Sequence, residues 1–279
     1  MSSIIAIGTA VFDTILSTNK PFNDAVCNKV FRSCADGGAI RNVAHNLALL
    51  KDEVLFWVKF GNDLEALDML FRLEYLGIQV HAKIIDLPSP HFYQLFDQDT
   101  SMMISSTTDD FYFNEYDSLP TFLLRNETFG ITDQDNPEFL RILTKRHPRL
   151  RWIALGFLPP LDLQSNFFAV FVNRKEALRA AESIYAFFAQ SKSIPLSVVT
   201  LDKHGLLYAY EGKTNRLPAP VMGKGNALGM GDALVAGFLH SHLKGCAVES
   251  SLSFGIECAR QTSLVTTAIN VALSEVIKL

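Results

Sequence analysis

The residues best placed to do chemistry fall in one stretch, KGNALGMGDALVAGFLHSHL, from Lys224 to Leu243. Gly225, Gly229 and Gly231 crowd a turn that opens directly into a helix, and the small residues Ala233, Ala236 and Gly237 let that helix pack closely on its neighbours. A glycine turn at a helix start gathers several backbone N–H groups at the positive end of the helix dipole, an arrangement suited to a phosphate anion. Asp232 falls in the first helical turn, where the dipole favours its ionised form. A carboxylate beside a phosphate hole is explained if its partner is a hydroxyl about to surrender a proton to it. A bland alternative is a glycine-rich helix start with Asp232 as a capping residue, and the segment alone leaves both readings open. Two other phosphate motifs are excluded. No glycine-Lys-Ser/Thr run of the P-loop kind is present, and Leu234 stands where a dinucleotide fingerprint needs its third glycine.

A second stretch, ADGGAIRNVAHNLALL from Ala35 to Leu50, pairs Gly37 and Gly38 with Asn42 one turn into a helix. The glycines permit close approach of a backbone to a ligand, and Asn42 offers both a donor and an acceptor for sugar hydroxyls. Read without a ligand, the same residues are a loop and a solvated helix position. Arg41 divides between a ligand for a base carbonyl or phosphate and an exposed helix salt bridge. His240 and His242 are two apart on a helix, hence on different faces, which excludes a metal pair. His91-Phe92-Tyr93 fits a sheet edge, and His204 beside Gly205 fits a turn.

These segments must be carried by a scaffold. Short apolar runs at Ile4–Ile7, Val54–Phe60, Trp152–Phe157, Phe168–Val172 and Ser197–Leu201 suit strands buried on both faces. Helical patterns lie between them: the stretch after Gly38, a helix capped by Asp63 and stopped at Gly77, Arg174–Gln190, and Ala233–Lys244 ended by Gly245. The alternation predicts an α/β, doubly wound, mostly parallel sheet with helices on both faces. Segments 13–36 and 80–106 break the rhythm and predict a small β-sheet lid, with long surface loops as the alternative. Residues 107–136 show no clear period. We expect one domain spanning 1–279.

Composition narrows the partners. The 279 residues are 48% apolar with net charge -4, so no general basic surface for nucleic acid is expected. No apolar run approaches the ~20 residues of a membrane span. The N-terminus MSSIIAIGTA lacks the features of a signal peptide. Cys27, Cys34, Cys246 and Cys258 are not closely paired and read as buried or partly buried free thiols, consistent with a cytoplasmic protein.

Together the two glycine segments resemble the two signatures of the PfkB, or ribokinase-like, carbohydrate kinase family, in that family's order and separation. Gly37-Gly38 with Asn42-Val43-Ala44 resembles the first, and Asn226 to Asp232 with Ala236-Gly237 resembles the second, D-T-x-G-A-G-D. Gly8 followed by Asp13, Gly61-Asn62-Asp63, and the N-x-x-E run Asn173–Glu176 agree with it. The resemblance spans about Ile4 to Asn270, with 107–160 matching poorly. Within the family, GGAIRNVAHNLALL is most similar to pseudouridine kinases.

The resemblance implies an ATP- and Mg2+-dependent kinase for a sugar or nucleoside hydroxyl, with pseudouridine the first candidate. It implies Asp232 as base, and the N–H groups of Gly229, Met230 and Gly231 as the phosphoryl hole. It implies Asp13, Gly37, Gly38, Arg41 and Asn42 around the acceptor. Asn173, Glu176 and Asn226 would lie on the nucleotide side, with Asn173 and Glu176 reaching magnesium through water. The lid is a candidate surface for a homodimer. Departures cluster on the phosphate side. Asn226 and Ala227 replace Asp and Thr, Met230 replaces a small residue, and Asp202 occupies a common glycine position. Gly156-Phe157-Leu158-Pro159-Pro160 replaces an Asp-Pro turn. They raise the alternative of a catalytically weakened sugar- or nucleoside-binding regulatory protein.

Overall fold

The computed structural model describes residues 3–23, 25–97, 101–117, 127–221, 223 and 228–276. Its strands run β1 (Ser3–Gly8), β2 (Val11–Ser17), β3 (Phe31–Gly37), β4 (Glu53–Phe60), β5 (Gln79–Ile84), β6 (His91–Phe96), β7 (Ser101–Ser105), β8 (Glu127–Thr132), β9 (Arg151–Leu155), β10 (Phe167–Asn173), β11 (Leu196–Thr200), β12 (Leu206–Tyr210) and β13 (Lys213–Leu217). Its helices are α1 (Ala39–Leu49), α2 (Leu64–Tyr75), α3 (Pro137–Arg146), α4 (Arg174–Ala180), α5 (Ile184–Gln190), α6 (Met230–Leu243), α7 (Val248–Thr262) and α8 (Leu273–Val276).

Nine strands form one sheet in the order β13-β12-β11-β10-β9-β8-β1-β4-β5. The seven from β11 to β5 are parallel, and β12 and β13 add an antiparallel edge. Successive residues of β1 face opposite layers, as strand periodicity requires. Ile4 and Ala6 pack in one core with α1, α2, α6 and α7, while Ile5 and Ile7 pack in the other with α3, α4 and α5. The doubly wound sheet read from the apolar runs is the observed one. The chain leaves β1 toward β4 and β5 on one side and resumes at β8 on the other. That reversal leaves a crevice beyond the carboxyl ends of β1 and β8, the place where such sheets bind ligands.

The second sheet, β3-β2-β6-β7, has four strands and takes the place of the expected lid. The lid segments need one correction. Residues 79–84 are not part of it: β5 pairs in parallel with β4, and Val80 and Ala82 pack against the main core. Alternation alone could not tell an edge strand of the large sheet from a lid strand.

Other expectations are refined. Arg174–Gln190 is two helices, because Ala181 is extended (φ -151°, ψ 159°) and Ser183 starts a new one by accepting the Ala186 N–H at 3.1 Å. The aperiodic stretch 107–136 contains β8 and a short 3-10 turn at Asp109–Phe111, with 118–126 outside the described residues. Cys27, Cys34 and Cys246 are exposed and only Cys258 is buried, since the first three lie on lid or loop surfaces that no core covers.

Candidate active site

Helix α6 begins where the glycine turn placed it. Gly229 has φ 71°, and a Cβ there would sit 2.1 Å from the Ala268 carbonyl oxygen, so only glycine fits. The first helical bond runs from the Ala233 N–H to the Gly229 carbonyl at 2.9 Å. The N–H groups of Met230, Gly231 and Asp232 therefore precede the helical ladder. A Cβ on Gly231 would meet nothing within 4 Å. Chain packing does not demand this glycine, and the space beside it is open. Asn226 lies outside the described residues.

Asp232 is half-buried and accepts a hydrogen bond from Asn42 Nδ2 at 2.9 Å. The helix dipole was expected to keep it ionised. Burial instead pushes its carboxyl up to about 7, with the neighbouring charges of Asp133, Asp13 and Glu176 adding to burial and the Asn42 donor opposing it. Desolvation and three like charges outweigh one helix terminus.

Asp13, on β2, is buried and pushed up to about 6 by burial, with Arg41 opposing and Asp36 adding. Gly37 makes room for it: a Cβ at Gly37 would lie 2.3 Å from Asp13 Oδ2. Gly38, at φ 99°, likewise clears the Thr9 carbonyl, which would be 2.5 Å from its Cβ. The glycine pair thus accommodates the chain's own lid strand and β1–β2 turn.

Arg41 is not an exposed salt bridge. It is 3% exposed, with Nη2 3.0 Å from Asp36 Oδ2 and Nη1 donating to Asn42 Oδ1 at 3.1 Å. Asp36 is also held from outside by Arg72, through Nε at 2.9 Å and Nη2 at 2.8 Å.

A cavity of about 330 Å³ lies beyond the sheet's carboxyl ends, lined by Asp133, Asp135, Gly156, Asn173, Glu176 and Asp232 among others. Asp133 and Asp135 were not foreseen. Asp133 follows β8, accepts from Thr9 Oγ1 at 2.9 Å and Gln134 Nε2 at 2.6 Å, and is pushed up to about 6 by burial. Its signal was the strand-then-carboxylate run ITDQD, masked by the acidic, aperiodic residues before it. A second cavity of about 250 Å³ is lined by Asp202, Gly205, Ala219, Met230, Ile256 and Ala259, and shares Asn173, Thr200, Gly231 and Leu234 with the first. The two meet at the start of α6.

Asn173 and Glu176 form a reciprocal cap at the start of α4. The Glu176 N–H donates to Asn173 Oδ1 at 2.9 Å, and the Asn173 N–H donates to Glu176 Oε2 at 2.7 Å. Glu176 Oε1 remains on the cavity side, 3.7 Å from the Cβ position of Gly156. Among the described residues no three His, Cys, Asp or Glu converge as direct metal ligands. Glu176 Oε1, which the cap does not use, would be the atom to accept from the water shell of a bound cation.

Met230 lines the second cavity, where it packs on the rim of the main core. Asp202 stands at φ 51°, a left-handed conformation costly to any residue with a Cβ. Gly156 turns the chain at φ 86° in place of the Asp-Pro turn.

Comparisons with known proteins bear on this geometry. Residues 159–274, under half the chain but including the start of α6, match the model of the pfkB family carbohydrate kinases. The fold matches a nucleoside kinase from Methanocaldococcus jannaschii at TM-score 0.81 and 18% identity, covering 100% of this chain and 98% of that one. It matches Arabidopsis thaliana ribokinase, solved with ribose and ATP, at TM-score 0.78 and 17% identity, covering 100% and 99%. A Burkholderia thailandensis nucleoside kinase, solved with inosine, matches at TM-score 0.76 and 16% identity, covering 96% and 92%. A search of curated protein sequences finds no match. The family signature over 159–274 thus lies within a ribokinase-like fold that spans the chain.

Proposed function

We propose that this chain is an active kinase for an uncharged sugar or nucleoside, with Asp232 as general base. One observation carries the reading: Asp232, pushed up to about 7, lines the first cavity next to Gly231, which both cavities share, beside the N–H groups that open α6. A carboxyl with that affinity for protons can accept one from a hydroxyl near neutral pH. As the acceptor oxygen attacks the γ-phosphorus, its proton passes to Asp232 and the bond to the β-phosphate oxygen breaks, leaving ADP. The N–H groups at Met230 and Gly231 stabilise charge on the transferring phosphoryl, so catalysis is mainly positioning and electrostatics. Magnesium, held through water on Glu176 Oε1, would neutralise phosphate charge when bound with ATP.

The lining of the first cavity narrows the acceptor. Its described residues include Asp133, Asp135, Glu176 and Asp232 and no Lys or Arg, and Arg41 is committed to Asp36. Carboxylates accept hydrogen bonds from hydroxyls but repel a phosphorylated substrate. Ribose and nucleosides, the ligands of two structural neighbours, fit this chemistry, and the pseudouridine-like signature makes pseudouridine the first to try. Asp202 favours the second reading, a binding protein with weakened turnover, because it puts a carboxylate on the rim of the donor cavity. MgATP-dependent phosphorylation of a nucleoside and sugar panel, beside binding of the same compounds without ATP, decides between them. Turnover of a neutral acceptor supports the enzyme. Binding without turnover at any pH from 6 to 9 supports the second reading. A preference for sugar phosphates overturns the assigned acceptor class.

A further inference from the structure

Four side chains form an unbroken line from the lid to Asp232. Asp36 on β3 binds Arg41 Nη2 at 3.0 Å, Arg41 Nη1 donates to Asn42 Oδ1 at 3.1 Å, and Asn42 Nδ2 donates to Asp232 Oδ2 at 2.9 Å. A side-chain amide can turn over, exchanging its oxygen for its nitrogen. At Asn42, Arg41 opposes this from the Oδ1 end, whatever the protonation of Asp232 at the other. With the guanidinium on Oδ1, Nδ2 must face Asp232; turned over, Oδ1 would face the carboxylate and repel it. We propose that Arg41, held by Asp36, is a positioning residue for catalysis, fixing the Asn42 amide so that it donates to Asp232 and couples the lid to the base. This rests on Asp232 acting as the base. The Arg41 guanidinium lies among Asp36, Arg72, Asp13 and His45 and lines neither of the two cavities. Asp36 lies at the foot of the lid, between Arg41 and the half-exposed Arg72, so lid displacement would release the amide lock from its outer end.

The test is the Arg41→Met variant, with Arg41→Lys and Asp36→Asn beside it. Asp232 is faced by Asn42, Asp13, Asp133 and Glu176, and Arg41→Met removes the fixed donor while leaving the three carboxylates. The acidic limb of kcat/KM for the acceptor should move alkaline by about one pH unit, and kcat at pH 7 should fall about 5-fold. The KM for ATP should not change. Lys can donate from one point but lacks the planar fork, so Arg41→Lys should recover part of the loss. Asp36→Asn should shift the limb the same way by less, and it serves as the test if Arg41→Met fails to fold. Titration of the Asp232 carboxyl by carbon NMR reads the same shift without turnover, separating failure of this inference from failure of the kinase reading. An unmoved limb and an unmoved carboxyl in whichever of these variants folds would overturn the proposal, as would loss of activity with an unchanged pH profile.

Discussion

Helices α1 and α6 both start on a glycine at positive φ, and their N-termini converge on one crevice, yet the two starts serve different ends. At α1 the missing Cβ atoms are filled by the protein: Asp13 packs against Gly37 and the Thr9 carbonyl against Gly38. At α6 one glycine serves the chain, since Gly229 clears Ala268, while Gly231 borders open space. The same residue type marks a closed joint in one place and an open helix start in the other. In the proposed kinase the α1 start would fix polar side chains on the acceptor side, and the α6 start would leave its backbone for the donor.

The hardest test of that division is Asp232→Asn. Losing a general base costs ~100- to 10,000-fold in kcat, and a variant within threefold of wild type would remove Asp232 from the role. Stability should move the other way. A carboxyl raised from 3.8 to about 7 on folding means the folded state holds more protons between those values, so unliganded stability falls as pH climbs from about 3.8 to about 7 and levels off above. Asn mimics the protonated form. Its Tm should exceed wild type at pH 8, with the gap narrowing below about pH 7 and closing only near pH 3.8. In wild type, kcat/KM should decline below about pH 7 as the base protonates.

Next comes a matched pair, Gly231→Ala against Gly38→Ala. At Gly231 the new methyl enters open space at a helix start, so the Tm should hold or rise, while kcat falls about 100-fold as the phosphoryl is displaced. At Gly38 the methyl meets a backbone carbonyl at φ 99°, and destabilisation of ~1–3 kcal/mol or more should dominate. Thermal melts and kinetics that came out alike for both would erase the distinction between the two starts.

On the acceptor side, Asp13→Ala and Asn42→Ala should each weaken sugar or nucleoside binding by ~1–3 kcal/mol with little effect on ATP, measured by calorimetry. Asn42→Ala should also lower kcat, because Asp232 loses its donor. The smallest effect is expected at Asp202. Replacement by Gly relieves the left-handed backbone and removes a like charge from the donor cavity. The KM for ATP should drop severalfold, most visibly at low salt. A rise in KM would show that the carboxylate contacts the donor favourably.

The sequence by itself determined the scaffold and the reactive helix start. Runs such as Ile4–Ile7 and Phe168–Val172 are too short and too apolar for a surface helix, and burial on both faces leaves the parallel sheet as their solution. The glycine spacing before Asp232 likewise has few backbone solutions. Tertiary structure decided what those residues meet. No local pattern says that Asn42 reaches Asp232 across 190 positions, that Arg41 turns inward to Asp36, or that Asp133 joins the cavity from the end of β8. Nor could it foresee the carboxyl of Asp232 rising instead of falling. Helix position is a local property, whereas desolvation and the charges of Asp133, Asp13 and Glu176 exist only once three distant segments have packed together.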